Sequence, residues 1–597
     1  MTRKSSSLIP ALPQRDVVRW LVVSATIGGA SGIAALWALW RALPFLPAPV
    51  GSLAEHVGYW ARLVAHQMLP FVCEVSSARY VRWWGGLETA VRVGVELRLG
   101  LSTLAALVPF VLFARRYLKS ADQLIFVRGA QRHEGKAATR RLRDRFRRFV
   151  ERQRDHDLAP KVPWPASQWA KHVLIVGGVG SGKSTALRPL LRKIVDADEQ
   201  LFLFDPKGEF TAAFEKPAIV APWDSRSFAW DLAKDLRNVQ DMRRFAGSVI
   251  KESHDPMWSN AARQLLVGLL IHLRQTRGAG WGWRELSDLV SLPQPALLSI
   301  MSTCHSEAIR AVEKASVTTT GVLINLSAFC SSIHDLAGAW GDLPTERRIS
   351  VVAWARGATQ NRQLILQGHA GYSDLTRCYV EGMAGVFATL INSVEFEDSR
   401  DRKIWFVADE FAQAGKLPVR SLFEVGRSRG VRCVVVCQDF AQLEEVYGDK
   451  FVRALLSMCG TLIVGQVMPG ETAEALCKMF GSREVERPNV SCAQGEKSAS
   501  STLSYSREDL ALYKPSELSS RLGPLDNGKG VRMIVFVGGE THEIVWPIRP
   551  LPVVRPGHVP AEWTADHEDE QIQATLREAA GEESPDAVAW LAERSKP

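Results

Sequence analysis

Two runs near the start of the chain carry no charge: Trp20 to Trp40, 21 residues, and Leu99 to Ala114, 16 residues. As a helix the first would extend about 32 Å at ~1.5 Å per residue, enough to cross a bilayer core. Trp20, Trp37 and Trp40 bracket it as interface anchors would. The second is short, and spans only if Arg98 snorkels or the helix recruits Val93 and Val95. A cleaved signal peptide would account for the first run but not the second. Arg3, Lys4, Arg15 and Arg19 precede the first run, and Arg115, Arg116 and Lys119 follow the second. That asymmetry predicts two transmembrane helices, both chain termini on the cytoplasmic side and residues 41–98 on the other.

The pattern then changes twice. Lys136 to Arg154 holds nine Lys/Arg, with Ala138, Leu142, Phe146 and Phe149/Val150 at helical spacing. This basic amphipathic helix suits an anionic leaflet, a nucleic acid, or plain packing of its apolar stripe. Pro160, Pro163 and Pro165 break the chain, after which short apolar strands alternate with helices. The strands are His172 to Val176, Leu201 to Phe204, Ile404 to Ala408, Arg432 to Cys437 and Thr461 to Val464, then two around Met533 to Val537 and Glu543 to Trp546. Such alternation predicts an α/β fold, a parallel sheet with ligands at the carboxyl ends of its strands. Between about Leu236 and Leu343 the rhythm fails: Trp258 to Thr276, Trp283 to Ser291 and Ala308 to Leu336 read as helices, an inserted all-α domain.

At 597 residues the chain is too long for one core. With 46% hydrophobic and 23% charged residues it is not disordered by composition. The net charge of +9 is divided unevenly: residues 557–597 carry −7 and residues 1–556 carry +16. A basic body with an acidic tail suits a polyanion-binding machine with a separate docking segment. The nine cysteines form no C-x-x-C pair and no zinc-spaced cluster with histidine, so Cys433 and Cys437 read as small buried hydrophobes.

The chemistry concentrates in two places. Gly177-Gly178-Val179-Gly180-Ser181-Gly182-Lys183-Ser184 fits the phosphate-binding pattern G-x-x-x-x-G-K-[ST] directly after a buried strand. Glycines let backbone N–H groups close around phosphate oxygens, Lys183 sets a point charge on the β/γ-phosphates of ATP, and Ser184 ligates Mg2+. Thr185 and its followers open the helix whose N-terminus faces the phosphates. Asp409-Glu410 closes a second apolar strand: Asp409 would hold Mg2+ through water and Glu410 would polarise the attacking water. Gln438 ends a neighbouring strand, as a γ-phosphate contact or an ordinary turn residue. Gly426-Arg427-Ser428-Arg429 offers a cation, as an arginine finger for the next subunit or a surface ion pair.

At these residues the chain resembles the type IV secretion coupling proteins of bacterial conjugation, of the TraD/TrwB kind. The resemblance runs over roughly residues 15–555. It rests on the two spans, Arg128-Gly129-Ala130, the phosphate loop, Phe204-Asp205-Pro206-Lys207-Gly208-Glu209, Pro222-Trp223-Asp224-Ser225-Arg226-Ser227 with Trp230, and Met257-Trp258. Asp409-Glu410-Phe411, Lys416-Leu417, Gly426-Arg427 and Gln438-Asp439-Phe440-Ala441-Gln442-Leu443 with Tyr447-Gly448 complete it. It implies a RecA-like P-loop ATPase domain with an inserted all-α domain, preceded by two inner-membrane helices and assembling as a homohexamer. It also implies pumping of single-stranded DNA, with its relaxase and relaxosome proteins, toward a type IV secretion channel. By position, Arg427 looks like the family's trans-acting arginine and Gln438 like its γ-phosphate-sensing glutamine.

The resulting organisation is a cytoplasmic N-terminus (1–19), membrane helices (20–40 and 99–114) around a periplasmic loop (41–98), and a basic linker (115–160). The nucleotide-binding domain follows in two parts (161–235 and 346–555) around the all-α insertion (236–345), and then a flexible acidic tail (556–597). In that tail Ile572, Leu576, Val588, Trp590 and Leu591 are apolar positions at helical spacing, interrupted by Gly581 and Pro585, and suited to docking a basic partner. A duplex-DNA translocase of the FtsK/HerA kind would share the motor, but the tail is too short and acidic for its usual winged-helix reader. A receptor for protein effectors would share every motif and differ only in cargo.

Overall fold

The computed structural model describes residues 17–41, 47–69, 73–117, 124–253, 255–314, 316–399, 401–494 and 499–564. They form two compact units, one made of the chain up to Gly129 together with Ser482–Leu510, the other of Ala130–Gly481 with the chain from Ala511 onward.

In the first unit, helices Val17–Arg41 and Thr89–Tyr117 pack against each other. The second apolar helix is longer than the uncharged run suggested: the stretch long and apolar enough to cross a membrane is Thr89–Ala114, 26 residues, about 39 Å of helix at ~1.5 Å per residue. Arg98 does not snorkel. It is buried, and its guanidinium donates to the carbonyls of Leu39 (3.1 Å), Pro47 (3.0 Å) and Gly94 (3.0 Å). The Leu39 carbonyl in the last turn of the first helix, the Pro47 carbonyl of the connecting chain and the Gly94 carbonyl of its own helix thus satisfy the charge. Helices Leu53–Met68 and Glu74–Gly85 lie between the two spans, joined by Tyr80, whose hydroxyl accepts from the Trp60 indole at 2.8 Å. Separately, Ile125–Gly129 pairs antiparallel with the strand Ser482–Gln494, itself paired with Ala499–Ala511. Sequence reading left this three-stranded sheet out.

The second unit is built on an 11-stranded sheet. Along the main path the order runs Gln131–Glu134, Glu540–Pro547, Gly530–Val537, Thr461–Val464, Val173–Val176, Val431–Cys437, Ile404–Ala408, Gln200–Asp205, Gln363–Gln367, Ala218–Val220, and the eleventh strand, Gly523–Pro524, pairs with Gly530–Val537 off that path. From Thr461–Val464 onward every neighbouring pair is parallel. These strands are buried on both faces, which is why they read as unbroken apolar runs rather than alternating ones. Cys433 and Cys437 sit among them, fully buried. Strands Gln363–Gln367 and Ala218–Val220, too short or polar-ended to stand out in the sequence, extend the sheet beyond Gln200–Asp205.

Two expected boundaries move. Residues 131–134 are not linker but an edge strand paired parallel with Glu540–Glu543, and helix Gly135–Val150 packs on the sheet through buried Ala138, Leu142 and Phe146. Its Arg141 and Arg145 reach Glu540 at 2.8 and 3.5 Å, so the apolar stripe is spent on packing. Nor does the chain leave the body at 556. Val559 N donates to Asp224 (3.0 Å), the Val559 carbonyl accepts from Ser225 N (2.9 Å), and the Trp563 indole donates to the Pro222 carbonyl (3.0 Å). The rest of the proposed tail, residues 565–597, lies outside the described residues.

The insertion is helical throughout its described residues, with three differences from the sequence reading. Helices Val239–Val249 and Gln294–Cys304 were not anticipated, and the single helix expected over 308–336 is divided into Ile309–Val312, Val317–Phe329 and Ser331–Trp340. Ser316 caps the second of these by accepting from Thr319 N. The stretch 317–340 is also apolar and long enough to cross a membrane, but Val322, Leu326, Ile333 and Leu336 are buried in the core. Both ends of the insertion are fastened together: Ala229–Trp230 pairs with Arg348–Ile349, and buried Asp235 accepts from Trp230 Nε1 (2.7 Å), Val351 N (2.8 Å), Val352 N (3.1 Å) and the Ser350 hydroxyl. Burial pushes the Asp235 carboxyl up to about 6, with these four donors acting against it.

Candidate nucleotide site

The strand Val173–Val176 ends against its neighbours Val431–Cys437 and Thr461–Val464, and the loop that follows starts from their backbone: Gly177 N donates to Cys437 O at 3.2 Å and Gly178 N to Gln466 O at 2.8 Å. Gly182 has φ +92°, and a Cβ there would lie 2.4 Å from Val531, so the turn into helix Lys183–Asp196 admits only glycine. No side chain caps that helix, whose first turn holds Ser184 and buried Thr185. The Ser181 hydroxyl is buried without a hydrogen-bond partner. An uncapped helix N-terminus beside an orphaned hydroxyl is the cradle a phosphate fits.

Lys183 is buried, and its ammonium donates to the carbonyls of Gly177 (2.7 Å) and Gly178 (3.1 Å). It also lies 3.6 Å from Glu410 Oε1, and Lys207 approaches the same oxygen at 3.7 Å. Sequence reading gave Lys207 no site role, although it lies in a quoted motif; only the fold carries it to Glu410. Glu410 itself is buried with φ +57° and ψ 62°, the left-handed region that costs a residue with a Cβ of the order of 1 kcal/mol or more. Its neighbour Asp409 ends the strand Ile404–Ala408 and donates its N–H to Phe204 O at 3.2 Å. Burial first, then the Glu410 charge, push the Asp409 carboxyl up to about 7. A divalent cation would favour its ionised form, and a carboxylate with a serine hydroxyl is an oxygen donor set of the kind Mg2+ takes.

Strand order decides how these groups relate. Val431–Cys437 lies between the strand of the phosphate loop and the strand of Asp409-Glu410, with Cys437 paired to Val176. Gln438 therefore emerges between Gly177 and Asp409, at the carboxyl edge where Lys183 and Glu410 meet. Arg427 does not join them. It is exposed, in the turn before Val431, at the opposite edge of the sheet, about 20 Å of strand away at ~3.3 Å per residue.

That opposite edge holds a charged cluster the sequence did not reveal. Asp155, His156 and Glu199 converge closely enough to bind a cation, but Arg432 lies 2.5 Å from Asp155 and Lys403 2.8 Å from Glu199. Burial acts upward on Glu199, and hydrogen bonds from His156, Lys403 and Trp405 overcome it, holding the carboxyl down at about 2. The cluster is already charge-compensated.

A family model, the type IV secretion-system coupling protein DNA-binding domain, matches residues 157–534. The chain belongs to this family. Coupling protein TraD of Escherichia coli (strain K12) is 23% identical over 321 residues, which cover 52% of this chain and 43% of TraD. The chain thus spans less than half the length of that curated relative. Among solved structures, the bacterial conjugative coupling protein TrwBdeltaN70 superposes with a TM-score of 0.59 at 21% identity, over 74% of this chain and 98% of that one. The plasmid coupling protein TrwB in complex with ADP and Mg2+ gives a TM-score of 0.57 at 21% identity, over 74% and 99%. At that identity the likeness establishes the fold: a RecA-like P-loop domain with an all-α domain.

Proposed function

We propose that this coupling protein is a membrane-anchored, Mg2+-dependent ATPase that works as a homohexamer, joins the relaxase and relaxosome to a type IV secretion channel, and drives single-stranded DNA through it. The observation that carries the reading is the meeting of Lys183 and Glu410 beneath the phosphate loop, with the Gln438 strand inserted between theirs. The solved TrwB complexes with ADP and Mg2+ and with a non-hydrolysable ATP analogue support it.

In this reading the loop N–H groups and Lys183 hold the β/γ-phosphates. A phosphate competes with Glu410 for the Lys183 ammonium, and Glu410 is freed to polarise the attacking water. Ser184 and Asp409 would hold Mg2+, which neutralises charge developing on the phosphate oxygens. Gln438 donates to the γ-phosphate and reports its loss to the strand behind it. The basic body, +16 over residues 1–556, favours a single strand by its phosphates without reading sequence. The apolar helices Leu21–Arg41 and Thr89–Ala114 anchor the motor in the bacterial inner membrane, with its bulk cytoplasmic. ATP turnover by the purified chain should rise with single-stranded DNA and lose that stimulation steeply with added salt; turnover indifferent to DNA would remove the DNA-pumping reading. Cross-linking in donor cells should trap the transferred strand, whereas trapped effector proteins alone would make the cargo protein.

The acidic end of the chain is the proposed relaxosome contact. Removal of residues 565–597 should leave ATP hydrolysis intact and lower transfer of the cognate element. Removal from 556 onward should in addition lower thermal stability, because it strips the Asp224 and Pro222 contacts made by Val559 and Trp563. Unchanged transfer after the shorter truncation would leave the tail without a docking role.

A further inference from the structure

Glu410 keeps a left-handed backbone that a residue with a Cβ holds only when its surroundings over-determine it. What holds it lies in the next seven residues. Gln413 N donates to Glu410 O at 2.9 Å, closing the short turn Phe411–Ala414. Beyond it, Leu417 N donates to Gly415 O (3.1 Å) and Val419 N to Leu417 O (2.8 Å), and two side chains from elsewhere in the fold bind the same backbone. The Tyr447 hydroxyl donates to Gly415 O (2.9 Å) and accepts from Leu417 N (3.1 Å), while its ring stacks on Phe411 with centroids 5.0 Å apart and planes 13° from parallel. The Glu381 carboxylate accepts from Lys416 N at 2.8 Å and is ion-paired to Lys251, which follows helix Val239–Val249 of the all-α domain. Gly415 has φ +87°, and a Cβ there would come within 2.4 Å of Glu381 Oε1, so carboxylate and loop fit only with glycine between them.

Packing alone does not fix this loop, because Gly415 and Lys416 border an open groove of about 1360 Å³ shared with Lys251, Glu381 and Gln442. Burial pushes the Tyr447 phenol well up, so its hydroxyl stays protonated as a donor at any working pH. Helix Phe440–Tyr447 starts two residues after Gln438, and Glu381 lies on helix Ser373–Asn392. The two side chains therefore tie the segment behind Glu410 to the Gln438 strand on one side and, through Lys251, to the all-α domain on the other.

We infer that Tyr447 and Glu381 are positioning residues for ATP hydrolysis: together they clamp residues 411–417 and so hold the Glu410 carboxylate toward Lys183. The inference rests on the ATPase reading above for its kinetic consequence, but not for its structural one. Neither side chain borders the phosphate loop, so nucleotide affinity is not their province.

The test uses the full-length chain in lipid nanodiscs with two conservative variants. Tyr447→Phe keeps the ring on Phe411 and removes only the hydroxyl; Glu381→Gln keeps an acceptor for Lys416 N and removes the charge facing Lys251. Hydrogen exchange of the Leu417 amide in Tyr447→Phe, and of the Lys416 amide in Glu381→Gln, should be faster than in wild type. In both variants kcat for ATP should fall roughly 10- to 100-fold, the cost of misplacing a catalytic group by about 1 Å, with KM unchanged. Unchanged exchange across residues 411–417 in both variants would overturn the clamp. So would faster exchange with kcat at the wild-type value, or a rise in KM with kcat retained. If wild type itself turns over no ATP, the ATPase reading fails, and the exchange data alone decide whether the clamp exists.

Discussion

Replacing Lys183 with alanine should lower ATP hydrolysis by the purified chain at least about 100-fold, the scale of removing one preorganised charge from a developing anion. The argument is local. The ammonium is buried and held by the Gly177 and Gly178 carbonyls beneath the loop, so no other cation among the described residues is placed to substitute for it there. Lys207, the other cation near Glu410, is half exposed and reaches that carboxylate from outside. Glu410→Gln should separate binding from chemistry: ATP affinity stays near the wild-type value while hydrolysis falls about 100-fold or more, since the amide accepts a proton far less readily. Steady-state turnover beside equilibrium binding of a fluorescent ATP analogue checks both. Wild-type turnover by Lys183→Ala would remove the phosphate loop from the mechanism.

Arg427→Ala should lower turnover on the order of 1000-fold while leaving nucleotide affinity in the isolated chain unchanged. The sheet gives the reason. Arg427 is exposed at the amino edge and the phosphate loop is at the carboxyl edge of the same parallel strands, so a subunit cannot bring its own arginine to its own nucleotide. The turn that carries it is held by neighbouring chain: Ser399 N donates to Ser428 O (2.9 Å), and Arg402 donates to the Arg429 carbonyl (3.2 Å). In a ring, the amino edge of one subunit facing the carboxyl edge of the next would complete the site. Arg427→Ala subunits mixed with Lys183→Ala subunits should then recover part of the activity, because some junctions pair an intact Lys183 with an intact Arg427. A mixture no more active than either variant alone would rule out action in trans.

How much of this was readable beforehand follows from how far apart the cooperating residues lie. The phosphate loop and Asp409-Glu410 were legible because each packs its chemistry into a few consecutive residues after an apolar strand. The two long apolar helices near the N-terminus were legible as uncharged runs, but the start of the second was not. Arg98 breaks the run, and the carbonyls of Leu39 and Pro47, supplied by another part of the chain, join that of Gly94 in making its burial tolerable. Strand Gln131–Glu134 carries Arg, His and Glu and looks like linker; its pairing partner Glu540–Glu543 lies some four hundred residues away.

The sequence by itself determined the local elements: a glycine-rich loop after a strand, an acidic pair, an α/β alternation, a helical insertion and two apolar helices, each written in local spacing and periodicity. Tertiary structure alone decided which strand stands beside which. That order put Gln438 between the loop and Glu410, sent Arg427 to the far edge, brought Lys207 to Glu410, and closed Tyr447 and Glu381 on residues 411–417. The physical reason is that backbone pairing in a parallel sheet has no local signature. A buried strand is apolar on both faces whatever its neighbours are, so its place is fixed by crossovers and packing that no window of sequence contains.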